Sequence, residues 1–468
     1  MLELTLHEIA EGVGGVLQGA SPSRPVTEIS TDTRTIRPGD LFWVLEGDQF
    51  DGHDYALDAI EKGAIAVVIR NEKLPGLEIP SIRVADTLYA LGEVAKLLRD
   101  RMTTRVVGIT GSVGKTTTKE FTRSVLSQSA QTKATEGNLN NLIGVPKTLM
   151  RVEKDDHWLV LEMGTDRPGE IRRLTEIGKP EFGMVTAVGE SHLNMLGSVE
   201  KVFEEKSDLL RGLSKDGVAF IPNESAYRDR LIDSTEAKTV TYGVEEGAEI
   251  LAVDPRVLNN GCFGFVLDTP IGKSPVSLRV PGLHQVQAAT AAAAVGVSAG
   301  LDLEEIVEGL QSFIGLPGRC EIKELENGVT IIADHYNANP VSMTAAQRLL
   351  ESFLERRKVM VVGEMWDLGE RSVDYHQQVG ERIGSGNIDY LIAVGPKTRD
   401  LIAAAKEVGF SQDRIRWYET TDQACEHVEK DLKPGDVVLV KGSRGMRLEK
   451  VIDALQEGEG NLRRTGGM

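Results

Sequence analysis

An apolar run, RVVGIT (105–110), feeds directly into a glycine loop, GSVG (111–114), and then into the helix-forming KTTTKE (115–120). A strand that apolar is buried on both faces and needs covering helices, so the junction predicts a layered α/β fold. It also shapes a candidate site. Gly111 and Gly114 permit backbone conformations that turn N–H groups inward around Ser112, and the helix start adds free N–H groups and positive potential. Lys115 is placed to reach β- and γ-phosphates, and the hydroxyls of Thr116 and Thr117 can hold Mg²⁺. The loop is nevertheless short, because the spacing G-x-x-x-x-G-K-[ST] asks for glycine where this chain has Ile109. A degraded nucleotide site, a plain strand-to-helix turn and a different class of ATP enzyme are all compatible with that defect.

The strand–helix alternation extends along the chain. LFWVL (41–45), AIAVVI (64–69) and the helical TLYALGEVAKLLRD (87–100) read as a small α/β unit. HWLVLEMG (157–164), a helix through EIRRLTEIG (170–178) and EFGMVTAVG (181–189) continue the pattern, which GLPGRCEI (315–322) interrupts after an alanine-rich helix. Beyond it VTIIAD (329–334), KVMVVG (358–363), DYLIAVG (389–395) and DVVLVKG (436–442) alternate with helices, predicting a doubly wound parallel sheet with ligands at the carboxyl ends of its strands. The tail, 457–468, is expected to fray. A chain of 468 residues exceeds one core, and about three units of roughly 150 residues are expected.

Composition narrows the partners. A net charge of −18 opposes nonspecific binding to nucleic acid or anionic lipid, so any phosphate must be held locally. No apolar run is long enough to span a bilayer, and MLELTLHEIAEGVGG lacks the basic-then-apolar order of a signal peptide, so a cytoplasmic protein is expected. Cys262, Cys320 and Cys425 are scattered and odd in number, and are read as reduced and structural.

Other residues carry two readings each. Glu162 closes the run WLVLE, either as an oxygen ligand for Mg²⁺ or as a solvated strand end. His192 follows a buried-type strand and is either a ligand or a structural histidine. Lys206 lies on the apolar face marked by Val199, Val202, Phe203 and Leu210, with Glu204, Glu205 and Asp208 mainly elsewhere. It either snorkels to water or is buried, neutral and chemically used. Arg319 and Asp334 suit a phosphate and a ribose, or equally a structural ion pair.

Taken together, STDTRTIRPGDLFWVLEGDQFDGHDY (30–55), TGSVGKTTTKE, TEGNLNNLIGVPKTL (135–149), LEMGTDRPGEI (161–171), SHLNMLGSVEKVFEEKSDLL (191–210), DHYNANPVSM (334–343), VVGEMWDLGE (361–370) and VLVKGSRGMRLEKV (438–451) resemble the Mur ligases of bacterial cell-wall synthesis, almost end to end. In that family the short loop is the normal form. The resemblance implies an α/β chain of three domains: a small N-terminal uridine-nucleotide unit (1–103), a central P-loop ATPase with a mainly parallel sheet (104–316) and a C-terminal Rossmann-like unit (317–468). It implies ATP and Mg²⁺, with Lys115, His192 and Lys206 catalytic, Lys206 carbamylated, and metal held by Thr116, Glu162, His192 and that carbamate. Nucleotide contacts are implied at Gly111, Ser112, Gly114, Thr117, His284, Arg319, Asp334, Tyr336 and Asn337. Substrate contacts are implied at Ser30, Thr31, Asp32, Arg34, Asp51, Gly52, His53, Asn138, Asn141, Asn337, Asn339, Lys441 and Ser443.

The YNANP run (336–340) points to the member that adds D-alanyl-D-alanine to UDP-N-acetylmuramoyl-tripeptide, and a monomer is expected. One departure stands out. The family's H-N-x-x-N near adenine is here His284-Gln285-Val286-Gln287-Ala288, so Gln285 keeps an amide and Ala288 does not. Two other readings are a related amide ligase, such as a folylpolyglutamate synthetase or an enzyme adding one amino acid, and a P-loop switch that signals by conformation. The STDTR and DGH motifs disfavour the folate version.

Overall fold

The computed structural model describes residues 4–47, 50–74, 76, 78–258 and 261–465, and three large sheets succeed one another along the chain. The first has the order Val16–Gln18, Ser81–Val84, Ala66–Arg70, Leu41–Trp43, Ile29–Ser30, parallel except for its first strand. The helix Thr87–Arg99 covers it. Asp86 caps that helix by accepting the Tyr89 N–H at 2.8 Å, and Leu91, Val94, Ala95 and Leu98 form its buried stripe.

In the nine-stranded central sheet, Arg105–Thr110 runs between Phe182–Val185 and Trp158–Glu162, parallel to both. The register sets Glu162 opposite Ile109, so the candidate metal carboxylate emerges level with the glycine loop. The far edge is an antiparallel pair, Cys262–Thr269 and Gly272–Pro281, with Ile250–Val257 joining it to the parallel strands. Sequence reading passed over these strands because their side chains alternate between core and solvent instead of forming an apolar block.

The third sheet has the order Glu321–Glu324, Thr330–Ala333, Val437–Lys441, Lys358–Val362, Tyr390–Val394, Ile415–Tyr418, parallel except for its first strand. All four apolar strands expected there lie side by side, and two more polar edge strands flank them. Helical backbone reaches into the tail that is expected to fray. Its helix, Glu449–Thr465, continues through most of 457–468, because Leu448, Val451, Ile452 and Leu455 anchor the first turns in the core beneath the sheet; 466–468 lie outside the described residues. No helix among the described residues is long and apolar enough to cross a membrane.

The cores do not follow the sheets one for one. A single buried cluster joins Leu41, Trp43, Leu91 and Val94 of the first unit to Val106, Leu149, Leu161 and Leu174 of the second. The third unit reaches the second through Leu193, Leu196 and Val202, which pack with Met365 and Leu368. Leu91→Ala is therefore expected to cost about 3 kcal/mol and to shift the unfolding of the first two units together. Urea titration of a Trp366→Phe/Trp417→Phe background, reporting on Trp43 and Trp158, checks this; two separated transitions would contradict it.

Candidate active site

The loop after Arg105–Thr110 closes tightly. Gly111 takes φ 149° and Gly114 φ 83°, and a Cβ on Gly111 would lie 2.1 Å from Thr186 Oγ1. Only glycine fits such a position. Thr186 Oγ1 donates to the Val113 carbonyl at 2.6 Å, and Ser112 is held by an Oγ–H donated to the Gly189 carbonyl at 2.9 Å. Ser112 thus shapes the loop with its side chain. At the start of the helix Lys115–Leu126, the Lys115 ammonium donates to the Gly111 carbonyl at 2.6 Å. Burial pushes its pKa below the usual lysine value, against the pull of the Glu162 carboxylate, and the Arg319 charge adds to the lowering.

Glu162 is no solvated strand end: it is 2% exposed. Its Oε1 accepts from the Asn140 amide at 2.8 Å and its N–H donates to Thr135 Oγ1 at 3.0 Å, while Oε2 is buried with no protein partner. A bare, buried carboxylate oxygen beside a phosphate loop is the donor a hard cation takes. His192, at φ 53°, sets Nδ1 3.0 Å from Asp166 Oδ1, and that hydrogen bond holds the Asp166 carboxyl below its usual range.

Lys206 is fully buried in the helix Val199–Arg211, and its Nζ also has no partner. Burial, and then the charge of Lys115, bring its pKa down to about 7 against the pull of Glu205. The snorkelling reading is excluded. The placing of Glu205 and Asp208 away from the buried face is corrected as well, since both are buried. Glu205 accepts from the Gly169 and Ile171 N–H groups at 2.7 and 2.8 Å, because residues 165–171 fold over that side of the helix.

The third unit faces the same cleft of about 1180 Å³, whose walls include Lys115, Glu162, His192, His284, Arg319 and Asp334. Arg319 donates to Thr116 Oγ1 at 3.0 Å and stacks 4.1 Å from the Tyr336 ring centre. Asp334 pairs with buried Lys441 at 2.7 Å, and Lys441 also donates to the Asn337 carbonyl. Asn339 caps the helix Pro340–Glu351 by accepting the Ser342 N–H. His284 is pushed by burial below its usual pKa, and its Nε2 accepts from the Gln285 amide at 3.1 Å, leaving Gln285 Oε1 buried without a partner. Thr117, Gln287 and Ala288 line the cleft too.

Several expected substrate residues lie elsewhere. Asp32 and Arg34 form an exposed bidentate pair, Ser30 Oγ donates to the Asp32 carbonyl, and Thr31 Oγ1 accepts from Lys147 at 2.9 Å across to the central unit. Asp51 next to Gly52 is spent on a turn: it accepts from His53 and from Lys73, and His53 Nε2 accepts the Arg70 N–H. Asn138 and Asn141 do line the cleft, and Asn141 also caps the next helix by accepting the Ile143 and Gly144 N–H groups. Ser443 is buried, accepting the Trp366 N–H at 2.8 Å. Asn140, Thr135, Asp166 and Glu205 were missed by sequence reading. The only signal for Asn140 was its place in the NLNN run, where its neighbours carried the resemblance instead.

Comparison with known proteins places this geometry. Residues 25–99 match the Mur ligase family catalytic domain, 109–296 the Mur ligase middle domain and 318–444 the Mur ligase glutamate ligase domain. The UDP-N-acetylmuramoyl-tripeptide--D-alanyl-D-alanine ligase of Escherichia coli K12 is 35% identical over 98% of this chain and 99% of its own. A crystal structure of MurF from Acinetobacter baumannii aligns with TM-score 0.90 and 31% identity, over 97% of this chain and 99% of that one. The Thermotoga maritima MurF ligase in complex with ADP aligns with TM-score 0.82 and 26% identity, over 93% and 98%.

The buried Lys206 makes stability depend on pH. With a folded pKa of about 7 and an ordinary unfolded value of 10.5, the unfolded chain binds the extra proton between those values, so stability rises with pH through that window. In CO₂-free buffer with chelator, Lys206→Met is expected to stabilise the protein most at pH 6, with the advantage shrinking towards pH 10. Urea denaturation across that range checks the sign; a constant difference would mean that Lys206 does not titrate there.

Proposed function

The chain belongs to the Mur ligase family, and from that premise we propose how its residues divide the work of the reaction. The protein is an ATP-dependent, ADP-forming ligase that joins D-alanyl-D-alanine to UDP-N-acetylmuramoyl-tripeptide, giving the UDP-linked pentapeptide precursor of peptidoglycan. A carboxylate is a poor acylating agent, so the γ-phosphoryl group of ATP is first transferred to an oxygen of the tripeptide's terminal carboxylate and ADP departs. The amine of D-alanyl-D-alanine then attacks the acyl carbon. The tetrahedral intermediate expels phosphate, and the nitrogen loses its proton to leave the amide.

The observation that carries the division of labour is that Lys115 interacts through its charge with two residues that each keep a buried, unpartnered atom, Glu162 (Oε2) and Lys206 (Nζ). Lys115 and the glycine loop with the start of its helix hold the phosphates, and Lys115 offsets charge building on the transferred group. Arg319, already on Thr116, holds the same phosphates from the third unit. Glu162, Thr116 and His192 would hold Mg²⁺, which neutralises phosphate charge when bound. The donor set suits it, since Glu162 keeps one oxygen bare and Asp166 fixes the His192 ring by binding Nδ1. A neutral Lys206 amine is able to take up CO₂, and the resulting carbamate replaces a buried cation by an anion next to Lys115.

On this reading 1–103 hold the uridine nucleotide, 104–316 the ATP and 317–468 the ribose, through Asp334, and the incoming dipeptide, through Asn337 and Asn339. Gln285 Oε1 serves the adenine amino group. The enzyme should release phosphate from ATP only with both UDP-N-acetylmuramoyl-tripeptide and D-alanyl-D-alanine present, with a product mass raised by one condensed dipeptide. Lys206→Ala should lose at least 100-fold in kcat, roughly what removal of one transition-state charge costs, and regain part of it with added short carboxylates. Full activity in the untreated variant would remove Lys206 from the mechanism, and stimulation by single amino acids in place of the dipeptide would change the assigned acceptor.

A further inference from the structure

Lys119 is a lysine that the reaction above does not use, yet it is 1% exposed. It lies one helical turn beyond Lys115, on the inner side of the helix Lys115–Leu126. Its ammonium donates to the Thr135 carbonyl at 2.5 Å and pairs with Glu120 Oε1 at 2.9 Å. A buried cation is expensive, and it is kept where its hydrogen bonds fix something. Here they fix the loop that holds Glu162.

That loop follows Thr132–Ala134, a three-residue strand at the sheet edge, paired on one side only. It supplies two side-chain partners of Glu162: Thr135 Oγ1 accepts the Glu162 N–H, and the Asn140 amide donates to Oε1. The Asn140 carbonyl in turn accepts the Gly164 N–H at 2.7 Å, just past the end of the Glu162 strand. With Oε1 and the main chain held, Oε2 is the oxygen left bare. Thr135 is held to the Glu162 strand by its N–H on the Val160 carbonyl and by the Glu162 N–H on its Oγ1; Lys119 adds the tie to the helix that begins with the phosphate-binding lysine.

We infer that Lys119 is a positioning residue: by clamping the Thr135 carbonyl to the phosphate-loop helix, it holds Glu162 in the orientation that binds a divalent cation, and so sets cation affinity. The inference rests on the reading of Glu162 as a metal ligand. The clamp links the two halves of the site, so that the carboxylate and the phosphate loop keep their relative positions as nucleotide enters. Removing the ammonium frees the loop at the sheet edge and lets the Glu162 side chain rotate. The phosphate loop itself, held by Thr186 and Ser112, is untouched.

The test is Mn²⁺ binding, followed by the loss of the free-ion electron paramagnetic resonance signal, to the full-length protein with a non-hydrolysable ATP analogue. No turnover enters the readout. Lys119→Met and Thr135→Val should each weaken Mn²⁺ about tenfold, the size expected for an outer-shell partner, with metal-free binding of the analogue within about twofold. Thr135→Ser, which keeps the hydroxyl, should restore near-native affinity. Lower melting temperature with unchanged Mn²⁺ affinity would make Lys119 merely structural and overturn the inference. Should Lys119→Met fail to fold, Lys119→Gln, neutral and too short to hold the Thr135 carbonyl, takes its place, and native-like Mn²⁺ affinity in it overturns the inference. Glu162→Gln is the control: if it leaves Mn²⁺ binding unchanged, the metal reading fails and the inference with it, whereas a weakened Glu162→Gln beside native-like Lys119→Met and Thr135→Val sinks the positioning role alone.

Discussion

Two lysines repel each other, Lys115 on the wall of the cleft and Lys206 fully buried behind it, and the rest of the site answers that repulsion. The Lys115 charge is one of the causes that lower the Lys206 pKa, behind burial, and Lys115 itself is lowered by burial and by Arg319. Water would screen such a cluster of cations, but protein does so poorly. Glu162, Asp166 and Glu205 offset part of the tension; the rest is relieved by deprotonating a lysine, by converting it to an anion, or by bringing in anions. An ATP-dependent ligase does the last with its substrates and, on the reading above, the second with CO₂. The free protein is therefore least at ease where the polyphosphate will sit, which is what electrostatic preorganisation requires.

The same logic runs through the carboxylates. Glu205 is buried and satisfied by two N–H groups and the Thr165 hydroxyl. Glu170 is likewise engaged by the Asp166 and Arg167 N–H groups, and Asp334 by Lys441. Glu162 has one oxygen held and the other bare. Asp40 Oδ1 and Glu449 Oε2 are buried without a partner too, but of the three only Glu162 lines the cleft beside the glycine loop, where a bare carboxylate oxygen is open to a ligand.

What the sequence made legible follows from how each feature is encoded. Apolar blocks such as RVVGIT and KVMVVG are buried on both faces, so they reveal central strands, and the glycine loop between strand and helix reveals the phosphate site. The hairpin strands of 250–281 are half exposed and alternate, a weaker pattern that was passed over. Lys206 could be placed on a buried face by helical spacing, because the period is local. Asn140 and Thr135 could not be tied to Glu162 in the same way. Their contacts cross more than twenty residues of chain and depend on an edge strand pairing in one register, and nothing in NLNN says which amide points inward. Asp51 and His53, expected at the substrate, also lock a turn with their side chains, a role that the sequence pattern did not show.

The shortened loop has a structural reason that the register supplies. Ile109, standing where a longer loop would begin with glycine, is fully buried and still part of the strand, paired with Glu162 on one side and Met184 on the other. A loop that began at 109 would surrender both pairings and leave Glu162 beyond the end of its neighbour, with its main chain unsupported on the side facing the phosphates. Extending the strand by those residues instead carries Glu162 level with the turn, and Thr186, two residues further along the register, closes on Gly111 and Val113. The tight glycine at 111 is the consequence, because Thr186 leaves no room there for a Cβ. Loop length, strand length and the position of the bare carboxylate oxygen are thus one constraint: the shorter cradle is what lets a carboxylate on the adjacent strand stand beside the phosphates.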